Sequence, residues 1–353
     1  YFLGMFAGAE KGKDGGEFYT PRSVVNLLVE MLQPFSGRVY DPCCGSGGMF
    51  VQSTRFVEAH GGNRDELSIY GQEKAASTWR LAKMNLALRG IEADLGPRDA
   101  ETFTEDQHPD LRADFIIANP PFNLKGYWSA TLQDDPRWVY ATPNESNANY
   151  AWIQHFLYHL SPSGSAGFVM ANGALSSKAK TDGVIRQAMI KADVVDCIVA
   201  LPDKLFFNTG IPACLWFLSK KRNGNGHRDR HGEVLFIDAR DMGEMITRAQ
   251  RQLTADDIER ISSVYNTWRS RNEYKNYENV PGFCKSSTIQ EIANNDFILT
   301  PGRYVGLDDS ISPDAEPVEE KIARLTSELL AEFDRGRELE SMIRMRLGGI
   351  KWN

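Results

Sequence analysis

The feature that most restricts the fold is a short strand followed by a glycine-rich turn and a helix, within residues 38–60. The residues RVYD at 38–41 predict the strand, and PCCGSGG at 42–48 predicts the turn. Apolar residues at helical spacing then predict a helix over residues 49–60. Glycines allow close backbone approach to a ligand, and a helix start presents free N–H groups. The candidate cofactor contacts here are Asp41, Gly45, Ser46, Gly47 and Gly48.

A glycine-rich first turn also occurs in dinucleotide-binding dehydrogenases, so an oxidoreductase is the first alternative. The dehydrogenase pattern G-x-G-x-x-G requires a third glycine, and Phe50 occupies that position. The turn therefore favours an adenosine without a pyrophosphate over a dinucleotide.

Two acidic residues further along are candidates for the same pocket. A short strand is predicted over residues 67–73 and ends in an acid, Glu73, whose carboxylate would accept both ribose hydroxyls. Asp99 is placed at the end of a third strand, where it would meet the adenine. Helical spacing predicts a helix over residues 75–89 between them.

The residues that most directly indicate a chemical function are those that follow the apolar run FIIA at 115–118. They are Asn119, Pro120, Pro121 and Phe122. A buried parallel strand ends here, and open α/β sheets bind ligands at the carboxyl ends of their strands. The Asn119 amide and the Pro120 carbonyl would accept from an exocyclic amine, and Phe122 would stack on its ring. An ordinary strand-ending turn is the competing interpretation.

Upstream, Thr20 and Pro21 precede an apolar helical pattern. Thr20 is predicted to cap this helix, with Pro21 at the first helical position. In the functional interpretation, Tyr19 and Thr20 line the far side of the cofactor pocket.

These segments occur in an order that resembles a known family. The motifs EFYTP at 17–21, DPCCGSGG at 41–48, GQE at 71–73 and NPPF at 119–122 resemble the modification (M) subunit of type I restriction–modification systems. Residues 175–180, 201–202, 207–211 and 216–221 extend the similarity. The resemblance implies an S-adenosylmethionine-dependent transfer of methyl to N6 of a flipped adenine in DNA. It places cofactor contacts at Glu17, Phe18, Tyr19, Thr20, Pro21, Arg22, residues 46–48 and Glu73, and catalysis at Asn119, Pro120, Pro121 and Phe122.

The resemblance also implies partners: double-stranded DNA, a specificity (S) subunit, a second M subunit and a restriction (R) subunit. A net charge of −7 with a pI near 5.5 agrees with a chain that takes most of its DNA affinity from a partner. Apolar residues at three- and four-residue steps predict a terminal helix over 316–347 that docks on the S subunit or folds back on its own domain.

The expected fold is α/β: a doubly wound, mostly parallel Rossmann-like methyltransferase sheet with a helical C-terminal extension. Residues 1–15 are interpreted as the remnant of an N-terminal region, 16–240 as the methyltransferase domain and 241–315 as a helical or irregular extension. Residues 125–149 lack periodicity, which predicts a mobile loop over the target base.

Composition adds several expectations. Five cysteines in no metal spacing indicate a reducing cytoplasm, and the six histidines are expected to form no cluster, so no metal is expected. The basic residues at 220–222 and 228–230 are expected in solvated loops. No apolar run reaches membrane-spanning length.

Two further alternatives to a DNA methyltransferase stay open. In this chain Asn119, Pro120, Pro121 and Phe122 form a tetrad that ends in phenylalanine. The related tetrad of protein-glutamine methyltransferases normally ends in tyrosine. A non-enzymatic scaffold that has kept the pocket is the other possibility.

Overall fold

The structure, a computed structural model, describes residues 20–206, 212–224, 226–306 and 318–348. Glu17, Phe18, Tyr19 and the motif at 207–211 lie outside the described residues. The chain divides into two compact units, Tyr1–Leu307 and Asp308–Asn353.

The first unit alternates strands and helices along the chain. Its helices are α1 (Arg22–Leu32), α2 (Gly48–Ala59), α3 (Ala76–Ala87), α4 (Asn149–His159), α5 (Gly173–Ser176), α6 (Lys180–Lys191), α7 (Ala255–Arg269) and α8 (Ile289–Asn294). Its strands are β1 (Gly37–Asp41), β2 (Leu67–Gly71), β3 (Ala93–Asp94), β4 (Ala113–Ala118), β5 (Leu160–Ala171), β6 (Val195–Ala200), β7 (Ala213–Ser219), β8 (Glu233–Asp238), β9 (Glu244–Met245), β10 (Arg251–Gln252) and β11 (Cys284–Thr288).

Nine of these strands form one sheet in the order β11-β8-β6-β7-β5-β4-β1-β2-β3. Strand β7 runs antiparallel to β5 and β6, and β11 runs antiparallel to β8. The other neighbouring strands pair in parallel. The prediction of a doubly wound, mostly parallel sheet is confirmed.

Helices cover both faces of this sheet. Apolar side chains of α1, α2 and α7 form a core cluster on one face, and those of α4 and α6 form a second cluster on the other. Burial on both faces explains why β4, β6 and β7 are nearly continuous apolar runs without alternation.

The chain order reverses between β1 and β4, which lie side by side with Val39 opposite Phe115. The crevice outside the carboxyl ends of two such strands is the usual ligand site of an open α/β sheet. Strand β1 ends at Asp41, directly before the glycine turn, and β4 ends at Ala118, directly before Asn119. The topology thus brings the two sequence motifs to one crevice.

The basic segments at 220–222 and 228–230 contain two buried arginines, so the prediction of solvated loops is wrong for them. Arg222 and Arg230 are each 2% exposed and donate to Asp196 on β6, Arg230 Nε at 3.0 Å. Asp196 also accepts from the Tyr265 hydroxyl on α7 at 2.6 Å. A charged side chain is expected at the surface unless a buried group of opposite charge pairs with it.

The described part of the second unit is helix α9 (Val318–Gly348). Where the structure describes its side chains, the large apolar ones are exposed, among them Leu325, Leu329 and Phe333 at 48–55%. None of the described helices is long and apolar enough to cross a membrane.

Candidate active site

The glycine turn leaves open space in front of its backbone. Gly45 and Gly47 have φ angles of +55° and +78°, a region that glycine adopts without strain. A Cβ added at Gly45 or Gly48 would meet no atom within 4 Å, whereas one at Gly47 would meet Leu86 on α3 at 3.3 Å. Ser46 is fixed by helix α3, because its backbone carbonyl accepts a hydrogen bond from Asn85 Nδ2 at 2.7 Å. The turn is therefore fixed on one side and open on the other.

Glu73 lies against this turn, as the sequence predicts. Its carboxylate accepts from the Gly45 N–H at 3.1 Å and from the Ala75 N–H at 2.8 Å, and the residue is 7% exposed. The two bonds fix the carboxylate orientation beside the glycine turn.

Asp41 lies beneath the turn. It is 2% exposed and accepts from the Cys43 N–H at 3.0 Å, so it supports the turn from below. Burial, together with the nearby Glu73 charge, raises the pKa of Asp41 to about 7. Burial likewise raises the pKa of the Cys44 thiol well above its usual value, as expected for a packing residue.

The Asp41 carboxyl should make the free energy of unfolding depend on pH. The usual pKa of an aspartate is about 3.9, whereas that of Asp41 is raised to about 7 in the folded protein. Between these two values only the folded state keeps the proton. The free energy of unfolding should then fall as pH rises from about 4 to about 7, by up to about 1.4 kcal/mol per pH unit. In Asp41→Asn, which keeps the acceptor for Cys43, the contribution of this carboxyl should be lost and the decrease should be smaller. Urea unfolding at several pH values checks it, and parallel curves for both proteins would contradict it.

Asp99 belongs to an irregular segment and not to a strand end. Strand β3 stops at Asp94, so the predicted placement of Asp99 at the end of a third strand is wrong. Its segment still lies beside β2, because the Ala100 N–H donates to the Glu73 carbonyl at 3.0 Å. Gln72, fully buried, donates to the Ala100 carbonyl at 3.2 Å. No periodic pattern predicts the bond between Gln72 and Ala100, although Gln72 directly precedes the predicted site residue Glu73.

The tetrad follows β4 as predicted, and it contacts the N-terminal segment. Asn119 Nδ2 donates to Thr20 Oγ1 at 2.8 Å, joining positions 99 residues apart. Helix α1 begins at Arg22 with Pro21 at the N-cap, where no side chain caps the helix. Thr20 therefore does not cap α1, and its prediction as a cap was wrong, because its hydroxyl is engaged by Asn119. Arg22 is exposed at the start of the helix.

The side chain of Phe122 is buried, not exposed to solvent. It is 6% exposed, and its ring meets Phe206 edge to face with centroids 5.9 Å apart. Pro120 is buried, while Asn119 and Pro121 are partly exposed. A planar ligand would stack on Phe122 only where a face of the ring becomes uncovered.

Residues 125–149 are anchored more firmly than the expected loop. Arg137, 5% exposed, donates to the Thr102 carbonyl at 3.1 Å and to Asp135 at 2.6 Å. Thr102 in turn donates to the Pro42 carbonyl at 2.6 Å, which connects this segment to the glycine turn. Tyr127 and Trp138 are also buried. Periodicity does not predict this packing, because Arg137 and Thr102 bond groups that are distant in the chain.

The expectation that no histidine cluster forms is wrong. His155 and His159 lie one turn apart on α4, and their ring nitrogens lie within 4.8 Å of each other and of Asp106. These groups are hydrogen-bonded: His159 Nε2 to Asp106 at 2.9 Å and His155 Nδ1 to Arg137 at 3.2 Å. Burial, with the charges of His159 and Arg137, lowers the pKa of His155 well below its usual value. The arginine beside His155 disfavours a bound cation, so the cluster is a hydrogen-bond network.

Comparison with known proteins identifies relatives of the whole described chain. Residues 1–311 match the family model described as N-6 DNA methylase. The type I restriction enzyme HindI methylase subunit of Haemophilus influenzae is 52% identical over 350 residues, covering 99% of this chain and 76% of that protein. The MjaIX methylase subunit of Methanocaldococcus jannaschii is 43% identical, and this chain spans 62% of its length.

A solved structure agrees with these relatives. The methyltransferase subunit of a type I restriction-modification system from Streptococcus thermophilus superposes with a TM-score of 0.73 at 30% identity. The match covers 86% of this chain and 62% of the other.

Proposed function

This chain belongs to the N-6 DNA methylase family of type I methylase subunits, and we propose that it transfers methyl from S-adenosylmethionine to N6 of a flipped adenine in DNA. The observation that carries the proposal is the meeting of two motifs at one crevice. The Asn119 tetrad follows β4, and the glycine turn with Glu73 follows the neighbouring strand β1.

The amide of Asn119 has the chemistry to bind an adenine amine. The lone pair of adenine N6 is delocalised into the ring, so the amine is a weak nucleophile. Acceptance of its two N–H groups by Asn119 Oδ1 and the Pro120 carbonyl would localise and direct that lone pair. In this structure Asn119 Nδ2 donates to Thr20 Oγ1, which agrees with an orientation in which Oδ1 would be the atom that accepts from the amine. Positioning and electrostatics then carry most of the rate.

The glycine turn and its acids fit S-adenosylmethionine. When bound, this cofactor supplies an electrophilic methyl group on a sulfonium. Glu73 would hold the ribose hydroxyls, since its carboxylate is already oriented by the N–H groups of Gly45 and Ala75. The open space before Gly45 and Gly48 gives room for an adenosine. The Glu73 carboxylate at the turn favours a ligand that carries positive charge.

Access to the amine requires that adenine leave the duplex, because N6 cannot be approached within the base stack. Phe122 would then stack on the flipped base, an interaction worth about 1–3 kcal/mol in single-strand binders. Since Phe122 is packed on Phe206 in this structure, the entering base must uncover one face of the ring.

DNA choice and most DNA affinity are proposed to come from a specificity subunit, in a complex that also holds a second M subunit and a restriction subunit. The chain has a net charge of −7, which opposes binding to DNA by this chain alone. Helix α9 exposes a row of apolar side chains at helical spacing, suited to packing on a partner helix. The relatives are named as subunits, which supports assembly with other chains.

Charge placed on the α9 row should therefore weaken binding to the specificity subunit. We expect Leu329→Glu to lower that affinity at least tenfold, because a buried carboxylate without a partner is costly. Glu332→Gln on the same helix is the matched control, since its side chain is exposed and polar. Co-purification and calorimetry with the specificity subunit measure the effect. Equal affinities for the two variants would contradict the proposal.

A methyl-transfer assay tests the function itself. Tritiated S-adenosylmethionine is incubated with the chain and unmethylated DNA, with and without the specificity subunit, and the label is then located. Label at adenine N6 that depends on the specificity subunit supports the proposal. Label in protein instead of DNA would support a protein methyltransferase, and no transfer at all in the complex would support a scaffold.

A further inference from the structure

We propose that Asn149 is a positioning residue that holds Phe122 in place to receive the flipped base. This inference rests on the proposed function, since it assigns a role within that same site. Asn149 is the first residue of α4 and is 4% exposed, whereas the tetrad that it would support ends 27 residues earlier in the chain.

The contact between Asn149 and the tetrad is a reciprocal pair of hydrogen bonds to Asn123, the residue directly after Phe122. Asn149 Oδ1 accepts from the Asn123 backbone N–H at 2.9 Å. Asn149 Nδ2 donates to Asn123 Oδ1, also at 2.9 Å. The Asn123 oxygen accepts a second bond from Asn147 Nδ2 at 3.2 Å.

These bonds define both amide orientations without ambiguity. A backbone N–H can only donate, so the Asn149 atom opposite it must be the oxygen. The other Asn149 atom is then the NH₂ group, and the Asn123 atom that it meets must be an oxygen. Isosteric replacement of Asn149 therefore removes two defined bonds at once.

The pair holds a strained part of the backbone. Asn123 has a φ of +53°, a left-handed conformation that non-glycine residues adopt at a cost and that asparagine tolerates better than most. This conformation sets the direction in which the chain leaves Phe122. Among the described residues, the Phe206 ring contacts Phe122 edge to face, and the Asn123 backbone is a further constraint on the orientation of Phe122.

The same contact closes the base of the segment that follows the tetrad. The Ala148 N–H donates to the Leu124 carbonyl at 3.0 Å, next to the Asn123–Asn149 pair. Residues 123–124 and 148–149 are thus joined by three bonds, and α4 behind them is buried on the sheet. Asn149 therefore transmits the rigidity of a packed helix to the end of the tetrad.

The test compares Asn149→Leu with Gln154→Leu. Gln154 is a matched control on the same helix: it is 1% exposed and also makes two bonds, to the Tyr140 N–H at 3.0 Å and the Ala141 carbonyl at 2.9 Å. It does not contact Asn123. We expect Asn149→Leu to lower kcat for DNA methylation about 10- to 100-fold, as small misplacements do, with unchanged Kd for S-adenosylmethionine. Gln154→Leu should lower Tm about as much as Asn149→Leu does. Its kcat should stay within about threefold of the wild type, because this substitution does not misplace Phe122.

A second pair of variants keeps the test decisive if Asn149→Leu does not fold. Asn123 is exposed, so its replacement does not disturb the core. Asn123→Ala should lower kcat as Asn149→Leu does, whereas Asn123→Gly, which adopts positive φ freely, should retain most of it. Equal kcat for Asn149→Leu and Gln154→Leu, or for the Ala and Gly variants, would overturn the proposal. Absence of transfer by the wild-type complex would instead overturn the proposed function.

Discussion

Asn119→Ala is expected to lower the rate of methyl transfer to DNA by at least about 10²- to 10³-fold, the range found when one preorganised polar group is removed from a reacting centre. The variant loses the amide that would accept from adenine N6 and also the bond to Thr20. Glu73 and the glycine turn are untouched, so the affinity for S-adenosylmethionine should persist.

Single-turnover methylation measures the rate, and calorimetry measures cofactor binding. Phe122→Ala should behave similarly, with loss of transfer but retained cofactor affinity, because the ring is assigned to the base. Loss of cofactor binding in both variants would contradict the division between a cofactor half and a base half of the crevice.

Asp196→Ala is expected to lower the free energy of unfolding by about 3–5 kcal/mol, as found when one partner of a buried ion pair is removed. Arg222 and Arg230, each 2% exposed, would lose their shared carboxylate, and Tyr265 its acceptor. The charges of these two arginines hold the pKa of Asp196 well below its usual value despite the desolvation that raises it. The stabilisation is therefore present at neutral pH and is lost as pH falls below the usual range of an aspartate.

Urea unfolding at neutral pH measures this loss. Glu58→Ala is the control, because Glu58 pairs with Arg64 at the surface, where both side chains are 40–50% exposed. A surface pair of this kind contributes little. Equal decreases in the free energy of unfolding for the two variants would contradict the inference that the Asp196 network stabilises the fold more than a surface ion pair.

Much of the fold was predictable from local patterns. The strands that end at Asp41 and Ala118 and the helix after the glycine turn lie where apolar spacing placed them, within a residue or two at their ends. Helical and strand periodicities arise from the geometry of the backbone itself, so they are visible over ten residues of sequence.

The candidate site was predictable only in part. Glu73 lies beside the glycine turn, as its position after β2 indicates. Thr20, however, is engaged by Asn119 and does not cap α1, and Asp99 follows an irregular segment and not a strand end. Both errors have one cause, because contacts from distant parts of the chain fix these segments: Asn119 bonds Thr20, and Ala100, next to Asp99, bonds Glu73.

By itself, the sequence determined that strands end at Asp41 and Ala118 and which family's motifs stand at those two ends. Only the tertiary structure decided that two arginines in basic segments are buried around Asp196, that His155 and His159 form a hydrogen-bonded cluster, and that Asn149 is hydrogen-bonded to Asn123, directly after Phe122. Periodicity reports whether a position faces the core. It does not report which group a buried polar atom will meet there, since that depends on how elements far apart in sequence pack together.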